Sequence, residues 1–487
     1  MLTFSISAQS IRLKREVRGV CIATVGNIDW PSSNKLTSGE QITELEKIFD
    51  KLQKAGINIV FFQIRTECDA LYESSYEPWS YWLTRKQGTA PDPFFDPLAF
   101  AVEAAHSRGM KLHAWFNPYR AVRSVGDYEI CSTHITKTHP DWILAFGKYK
   151  MLNPGLPQVT DYIVKIIRDI VKRYDVDGVN FDDYFYPYSP QITDEDSAAF
   201  KKYKGSFNNI DNWRRHNVNN MIDKVYHAIN EINPRVEFGV FPFGIVENKY
   251  SGTHGFNAYD KIYCDPLTWL EDKTVDYIAP QCYWEIGNKN ADYAKLVKWW
   301  STVTNGRQLY IGQFSSEMMA SSWKGSFSEI GDEIRLNRRT PNVSGSVFFS
   351  AKSIFDNYSG LADTLKKIYQ YPALLPVMSW KDSSIVPTPI ILIVDGDKYY
   401  RDLKWDMLPA FDQFEEKYNY VVYRFNNDDL IDLSNPAKII YITKDGEKNY
   451  TDNQILTNDA SFIYVVTAID CMQKESENYT KYRIDIH

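Results

Sequence analysis

The chain predicts a closed (β/α)8 barrel followed by a small all-β sandwich, and three observations carry that reading. Eight short apolar, β-branched or aromatic runs each precede a longer segment with helical spacing, the rhythm of parallel βα units. The turn after the first strand, Thr24-Val25-Gly26-Asn27-Ile28-Asp29-Trp30-Pro31, lacks the glycine-rich phosphate loop usual in an open doubly wound sheet. Beyond residue 370, Pro372, Pro376, Pro387 and Pro389 punctuate the chain, and short strands replace the strand–helix alternation.

The barrel strands are read at 17–24, 58–65, 111–117, 178–183, 237–241, 277–283, 309–312 and 344–349. Helices fall between them at roughly 41–55, 95–108, 158–174, 211–232, 260–272, 291–304, 327–339 and 356–370. Asp161-Tyr162-Ile163-Val164-Lys165-Ile166-Ile167 places apolar side chains at helical spacing, Gly109 ends the second helix, and Asn233-Pro234 stops the fourth. The barrel is assigned to 14–372. A second domain at 386–483 has strand candidates at 403–405, 420–425, 438–443 and 462–469, a short helical pattern at 411–418, and an Asp445-Gly446 turn. Its early Trp405 and late Tyr464 resemble the core tryptophan and late-strand tyrosine of fibronectin type III modules.

Bulk composition narrows the function classes. The 487 residues are 44% hydrophobic, enough for a large core, and no run approaches the ~18 apolar residues of a membrane span. A net charge of -7 without a basic block argues against nucleic acid and anionic membrane as partners. The six cysteines show no C-x-x-C spacing, and Cys21 and Cys282 are expected to be buried in strands. The opening MLTFSISAQS reads as the stub of an export leader or as a frayed terminus. Aromatics reach 15%, a bias that suits either a tyrosine-rich core or a surface stacking on sugar rings.

The most informative stretch is Asp177-Gly178-Val179-Asn180-Phe181-Asp182-Asp183-Tyr184-Phe185-Tyr186-Pro187. Period-two alternation puts Val179 and Phe181 on one face and Asn180 and Asp182 on the other. Polar groups inside a barrel are costly unless paired or working, and barrel active sites lie at the C-terminal strand ends. Other strand ends converge there: Gln63 and Arg65, then Glu67 and Asp69; His113, Trp115 and Asn117, then Tyr119 and Arg120; Gln281 and Tyr283, then Trp284 and Glu285; and Gln313. Carboxylates beside tyrosines suit glycoside hydrolysis, in which one acid protonates the leaving oxygen and a second carboxylate attacks or activates water.

Asp182 is the first candidate because alternation points it inward, with a salt bridge to Arg65 or Arg120 as its structural alternative. Asp183 either turns inward where the strand ends or caps the next loop, and Glu285 either completes the pair or is a solvated loop residue. Sugar stacking is assigned among Trp115, Tyr119, Tyr184, Tyr186, Tyr283 and Trp284, with Gln63, Arg65, Asp69, Asn117, Arg120 and Gln281 as polar contacts. No metal or other cofactor is expected: His113 lacks a histidine at i+2 or i+4, and neither H-E-x-x-H nor G-x-S-x-G occurs. The rival classes are a non-catalytic carbohydrate-binding protein, and a barrel lyase or deacetylase.

Ala23-Thr24-Val25-Gly26-Asn27-Ile28-Asp29-Trp30-Pro31-Ser32, Phe62-Gln63-Ile64-Arg65, Asp69-Ala70-Leu71-Tyr72, Ala114-Trp115-Phe116-Asn117-Pro118-Tyr119-Arg120, Phe181-Asp182-Asp183-Tyr184-Phe185-Tyr186-Pro187 and Pro280-Gln281-Cys282-Tyr283-Trp284 together resemble the glycosyl hydrolase-like 10 family of bacteria over roughly 14–370. The resemblance implies a (β/α)8 barrel, export beyond the cytoplasmic membrane, and hydrolysis of glycan strands, with peptidoglycan as the substrate class. Arg65-Thr66 departs from the family's Arg-Pro after strand two. A fainter similarity relates DGVNFDDY to the D-x-x-D-x-D-x-E signature of glycoside hydrolase family 18. Asp177, Asn180 and Asp182 would align with it, while the catalytic glutamate would fall on Tyr184.

Overall fold

The computed structural model describes residues 12–319, 328–381, 385–407, 418–444 and 446–486. Eight strands alternate with eight main helices: β1 (Val17–Ile22), α1 (Ser38–Lys54), β2 (Ile59–Arg65), α2 (Pro97–His106), β3 (Lys111–Phe116), α3 (Pro157–Arg173), β4 (Gly178–Phe181), α4 (Ile210–Ile232), β5 (Glu237–Val240), α5 (Pro266–Glu271), β6 (Tyr277–Ile278), α6 (Tyr293–Trp300), β7 (Gln308–Gln313), α7 (Glu329–Arg339), β8 (Val343–Phe348) and α8 (Leu361–Ile368). All neighbouring strands pair in parallel, and β8 closes on β1 with Val17 opposite Gly345. The predicted closed barrel is the fold observed.

Alternation along the strands builds two cores. Val20, Ile22, Val60, Phe62, Val179 and Phe181 face the helices, whereas Cys21, Phe61, Trp115, Phe241, Tyr277 and Tyr310 fill the barrel. Two glycines make the interior fit. A Cβ on Gly178 would lie 2.4 Å from the His113 ring, and one on Gly239 would lie 2.1 Å from the Tyr277 ring. The rings occupy that space, and His113 Nδ1 hydrogen-bonds the Tyr277 hydroxyl at 2.8 Å. Burial pushes the His113 pKa down to about 3, so the ring is neutral.

Helix ends follow their local chemistry. Thr37 and Glu40 form a reciprocal capping box at α1, and Asp265 with Pro266 starts α5. The latter confines α5 to less than the expected 260–272, with a separate turn at Ala258–Lys261. The expected 356–370 helix shortens to α8, which starts after Gly360 at φ +75°, and a separate short helix, Ala351–Phe355, precedes the expected span. β6 is shorter than the expected 277–283 because Pro280 has no N–H for the ladder, and pairing resumes at Gln281 as isolated bridges to Phe243 and Gly312.

One feature was not foreseen. Between β3 and α3 the chain makes a three-stranded antiparallel sheet from Arg120–Val122, Ile143–Phe146 and Tyr149–Leu152. This sheet stands beside the C-terminal ends of the barrel strands.

After α8, Leu375 and Met378 enter the interior cluster from the N-terminal end of the barrel. Lys381 pairs with buried Asp276 at 2.8 Å, and Trp380 Nε1 donates to the same carboxylate at 2.8 Å. The C-terminal region forms two antiparallel sheets, one of β9 (Ile390–Gly396), β10 (Arg401–Asp406) and β13 (Asn449–Asp452), the other of β11 (Asn419–Asn426), β12 (Ile439–Ile442), β14 (Ala460–Ile469) and β15 (Thr480–Ile486). Trp405, Tyr420 and Tyr464 lie in their shared core. The 411–418 helical pattern lies outside the described residues apart from Tyr418, as do Asp445 and the first eleven residues. This small sandwich docks beneath the barrel through Met472, Gln473 and Glu475. Met472 joins the barrel-interior cluster, and the Gln473 carbonyl accepts Arg15 Nη1 at 2.7 Å. Glu475 takes Lys14 at 2.5 Å and is held within the sandwich by the Tyr423 hydroxyl at 2.6 Å.

Candidate functional site

β4 delivers the site. Gly178, Asn180 and Asp182 alternate into the barrel, and the ladder ends at Phe181, after which the Phe185 N–H closes a turn onto the Asp183 carbonyl at 2.8 Å. Asp182 Oδ2 accepts Trp115 Nε1 at 3.2 Å and Asn117 Nδ2 at 3.1 Å, both from the end of β3. Its other oxygen has no hydrogen-bond partner among the described residues. Burial raises the Asp182 pKa to about 6, against the pull of Arg120, Trp115, Asn117 and the Tyr184 N–H toward the charged form.

Asp183 turns inward. Its Oδ2 accepts the Tyr188 hydroxyl, and the side chain of Gln281 adds a second stabilising contact. Gln281 is itself anchored on the Phe241 carbonyl at 2.9 Å. Burial first, then the neighbouring Asp182 charge, lifts Asp183 to about 7. Two adjacent carboxyls thus hold their protons to different pH values at one barrel mouth. Asn180, one inward step below Asp182, is fully buried, and neither amide atom has a hydrogen-bond partner among the described residues.

The other residues expected at the site divide into three groups. Trp115, Asn117, Arg120, Tyr184, Gln281, Tyr283 and Trp284 lie around the carboxyls or on the aromatic rim. Gln63, Arg65 and Asp69 are buried and held by protein partners, although Gln63 Nε2 and Asp69 Oδ2 have no hydrogen-bond partner among the described residues. Gln63 Oε1 accepts the Thr24 and Val25 N–H groups, Arg65 forks onto Glu77 at 2.8 and 2.7 Å, and Asp69 binds the Thr66 hydroxyl and the Glu67 N–H. Tyr119 and Tyr186 depart from expectation, for both have 0% exposure and lie in the helix-side core, with no face open to a sugar. Glu285 is half-buried in the loop after β6, where its charge acts on Glu317, Glu329 and Glu333. Gln313 points outward and donates to Glu333 at 2.6 Å.

Several rings at the mouth went unread in the sequence. Phe314 stacks on Tyr283 with centroids 4.9 Å apart, and Phe349 approaches Tyr283 at 6.0 Å and Trp115 at 6.5 Å. Tyr188 packs on Phe256 at 5.0 Å, and Phe243 meets Trp284 edge-on at 5.5 Å. Phe314 and Phe349 continue the inward phase of β7 and β8, a signal the strand pattern did contain. Phe243 and Phe256 lie in loops, where no periodicity marks them.

A closed parallel barrel with a buried carboxyl pair and aromatic side chains at its strand ends defines the glycoside hydrolase-like class of (β/α)8 proteins. The chain belongs to the glycosyl hydrolase-like 10 family, whose model matches residues 16–325. It is 38% identical over 493 residues to glycosyl hydrolase YngK of Bacillus subtilis strain 168, covering 97% of this chain and 94% of that protein. It is 39% identical over 365 residues to glycosyl hydrolase DigH of Escherichia coli K12, covering 68% of this chain and 82% of that one. Among solved structures it is similar to the PgaB (BpsB) glycoside hydrolase domain of Bordetella bronchiseptica, with a TM-score of 0.47, 12% identity, and coverage of 75% of this chain and 100% of that chain.

Proposed function

We propose that this protein hydrolyses glycosidic bonds of a bacterial glycan, with peptidoglycan strands as the substrate class, through the Asp182–Asp183 pair. The observation that carries this reading is the difference in surroundings of two adjacent buried carboxyls. Asp182 receives Trp115, Asn117 and the Tyr184 N–H, which favour its charged form, while Asp183 keeps its proton to about pH 7. Asp183 then donates its proton to the leaving oxygen as the bond to the anomeric carbon breaks. Asp182 supports the positive charge growing on that carbon, by bonding to it, by deprotonating water, or by orienting a substrate N-acetyl group. One water is added across the bond overall. Tyr184, Tyr188, Tyr283, Trp284, Phe314 and Phe349 offer rings to sugar faces, and Glu285 stands on the rim among other acids.

The same reading places the protein outside the cytoplasmic membrane, in the cell envelope, where such strands lie. Among the described residues no helix is long and apolar enough to cross a membrane. The C-terminal sandwich is read as a fibronectin type III-like spacer, supported by its three-plus-four strand arrangement and by Trp405 buried against Tyr420.

The test is mass spectrometry of purified glycan strands, with and without stem peptides, after incubation with wild type and with Asp182→Asn. Hydrated fragments from wild type alone are expected. Cleavage by Asp182→Asn at the wild-type rate would remove Asp182 from the mechanism. Binding without fragments would favour a carbohydrate-binding protein, a reading to which Tyr184 at the family 18 glutamate position lends support. Unsaturated or anhydro ends would indicate a lyase, and released acetate a deacetylase.

A further inference from the structure

We infer that Asp29 is a positioning residue that holds the Phe349 ring in place at the barrel mouth, acting through the Ser350 hydroxyl and the loop after β8. This rests on the mouth being a glycan site, as proposed above, and gives a role to a residue with no hydrogen bond to the carboxyl pair.

Asp29 stands in the turn after β1 and is 2% exposed. A buried carboxylate is costly unless donors fill it, and the donors to Asp29 come from the seam where the barrel closes. Its Oδ2 accepts the Ala23 N–H at 2.7 Å, at the end of β1. Its Oδ1 accepts the Ser350 hydroxyl at 2.7 Å and the Lys352 N–H at 2.9 Å, both just past β8. The β1–β8 ladder itself stops at Val20 opposite Phe348. Asp29 therefore takes over where backbone pairing ends. It also caps the helix Ala351–Phe355 from outside, for Ser350 at the N-cap makes no side-chain bond of its own to that helix.

The hold passes along the strand ends. Ser350 Oγ lies 3.0 Å from Ser316 Oγ, which accepts the Ser350 N–H at 2.7 Å. The Ser316 N–H donates to the Phe349 carbonyl, and the Phe349 N–H to the Gln313 carbonyl, each at 2.9 Å. The peptide groups on both sides of Phe349 are thus fixed, and the loop after β7 is fixed with them. Phe349 itself is half-buried. Its ring meets Phe314 at 5.9 Å, Tyr283 at 6.0 Å and Trp115 at 6.5 Å, and Trp115 is a donor to Asp182.

Apolar contact could join two loops without desolvating a charge. What the carboxylate adds is direction: fixed donors meet its two oxygens, so the loop after β8 has one permitted place. An amide at this position would set its own N–H2 against one of those donors. The Phe349 ring carries no polar group and cannot orient itself. A ring face binds a sugar well when its orientation is prepared beforehand, since ordering it on binding costs affinity.

The experiment is a double-mutant cycle on the full chain, with purified peptidoglycan glycan strands as the probe. Equilibrium affinity and steady-state kinetics are both measured. Phe349→Ala should weaken affinity and raise KM about five- to tenfold, the loss of one ring contact. Asp29→Ala should do so to a similar extent with kcat within about twofold of wild type, because Asp182 and Asp183 keep their partners. The double variant should match the weaker single variant within about twofold, since clamp and ring act through one contact. Ser350→Ala removes one hydroxyl and leaves the Ala23 and Lys352 N–H groups on Asp29. It should cost about threefold in wild type and nothing further in the Phe349→Ala background. If Asp29→Ala fails to fold, this second cycle decides.

Losses that multiply in the double variant would show that Asp29 acts apart from the ring, and would overturn the inference while leaving the hydrolase standing. Wild-type affinity and KM in both Asp29→Ala and Ser350→Ala would overturn it likewise. Losses of affinity that do not multiply, with no product from any strand, would refute the hydrolase and keep the clamp. Strands that neither bind to wild type nor break would remove the glycan reading, and the role of Asp29 with it.

Discussion

Asp182 and Asp183 are neighbours in sequence, and burial raises the pKa of both. Arg120, Trp115, Asn117 and the Tyr184 N–H oppose it at Asp182, while Tyr188 and Gln281 oppose it at Asp183 and the Asp182 charge adds to it. In the proposed mechanism the productive form has Asp182 ionised and Asp183 protonated. With pKa values raised to about 6 and about 7, that form is most populated between those values and declines on either side. A narrow bell-shaped kcat/KM profile is expected. Tyr188→Phe should move the alkaline limb up, since the Tyr188 hydroxyl favours the charged Asp183 it would no longer contact. An alkaline limb that stays still would detach Asp183 from the acid role. The same shifts act on stability. A carboxyl whose folded pKa exceeds its ordinary 3.8 weakens the fold as pH rises through that interval, fully so above the folded value. Asp183→Asn should therefore melt higher than wild type above pH 7, with the gap vanishing below 3.8. Alternation identified Asp182, Trp115 and Asn117 correctly as inward residues at one end of the barrel. It marks direction and not depth, which is why Tyr119 and Tyr186 were expected at the surface and lie in the core.

The elements were legible where burial is two-sided and repetitive. Each barrel strand is an apolar run because it is covered on both faces, and each helix shows one apolar stripe, so their alternation stood out. The sheet inserted after β3 had no such signal. Its strands Ile143–Phe146 and Tyr149–Leu152 are short, partly exposed and flank a tight turn at Gly147, which reads as loop. Gly178 and Gly239 illustrate the opposite case, where a weak strand former is required by what packs against it. Gly178→Ala and Gly239→Ala should each destabilise the barrel by about 1–3 kcal/mol in denaturant titration, because rings at 2.4 and 2.1 Å must be displaced. Combining Gly178→Ala with His113→Ala should return part of that loss. Strictly additive losses would show that the ring is not what the glycine accommodates.

The whole molecule is a barrel with its mouth at one end and a sandwich seated on the other. That seat includes Glu475, whose carboxyl is held below its ordinary 4.5 by Lys14, Tyr423 and Thr467 acting against burial. Its contribution is present above 4.5 and fades as pH falls beneath it. Glu475→Gln should weaken docking by about 1–3 kcal/mol, splitting calorimetric unfolding into two transitions with the sandwich melting first and kcat unchanged. A single undisturbed transition would place the docking energy elsewhere. No sequence pattern announced this contact, since Lys14 and Glu475 stand at opposite ends of the chain. The base of the barrel carries one more implication. Leu375, Met378, Trp380 and the Lys381–Asp276 pair stopper it, and the His113 and Tyr277 rings fill the layer above. The interior is thus packed from its base upward, and Asp182 and Asp183 lie at the opposite end of the barrel. Under the proposed mechanism, the proton that Asp183 gives to a departing sugar is restored by the water consumed in the same turnover, so the carboxyl pair begins each cycle with its charge unchanged.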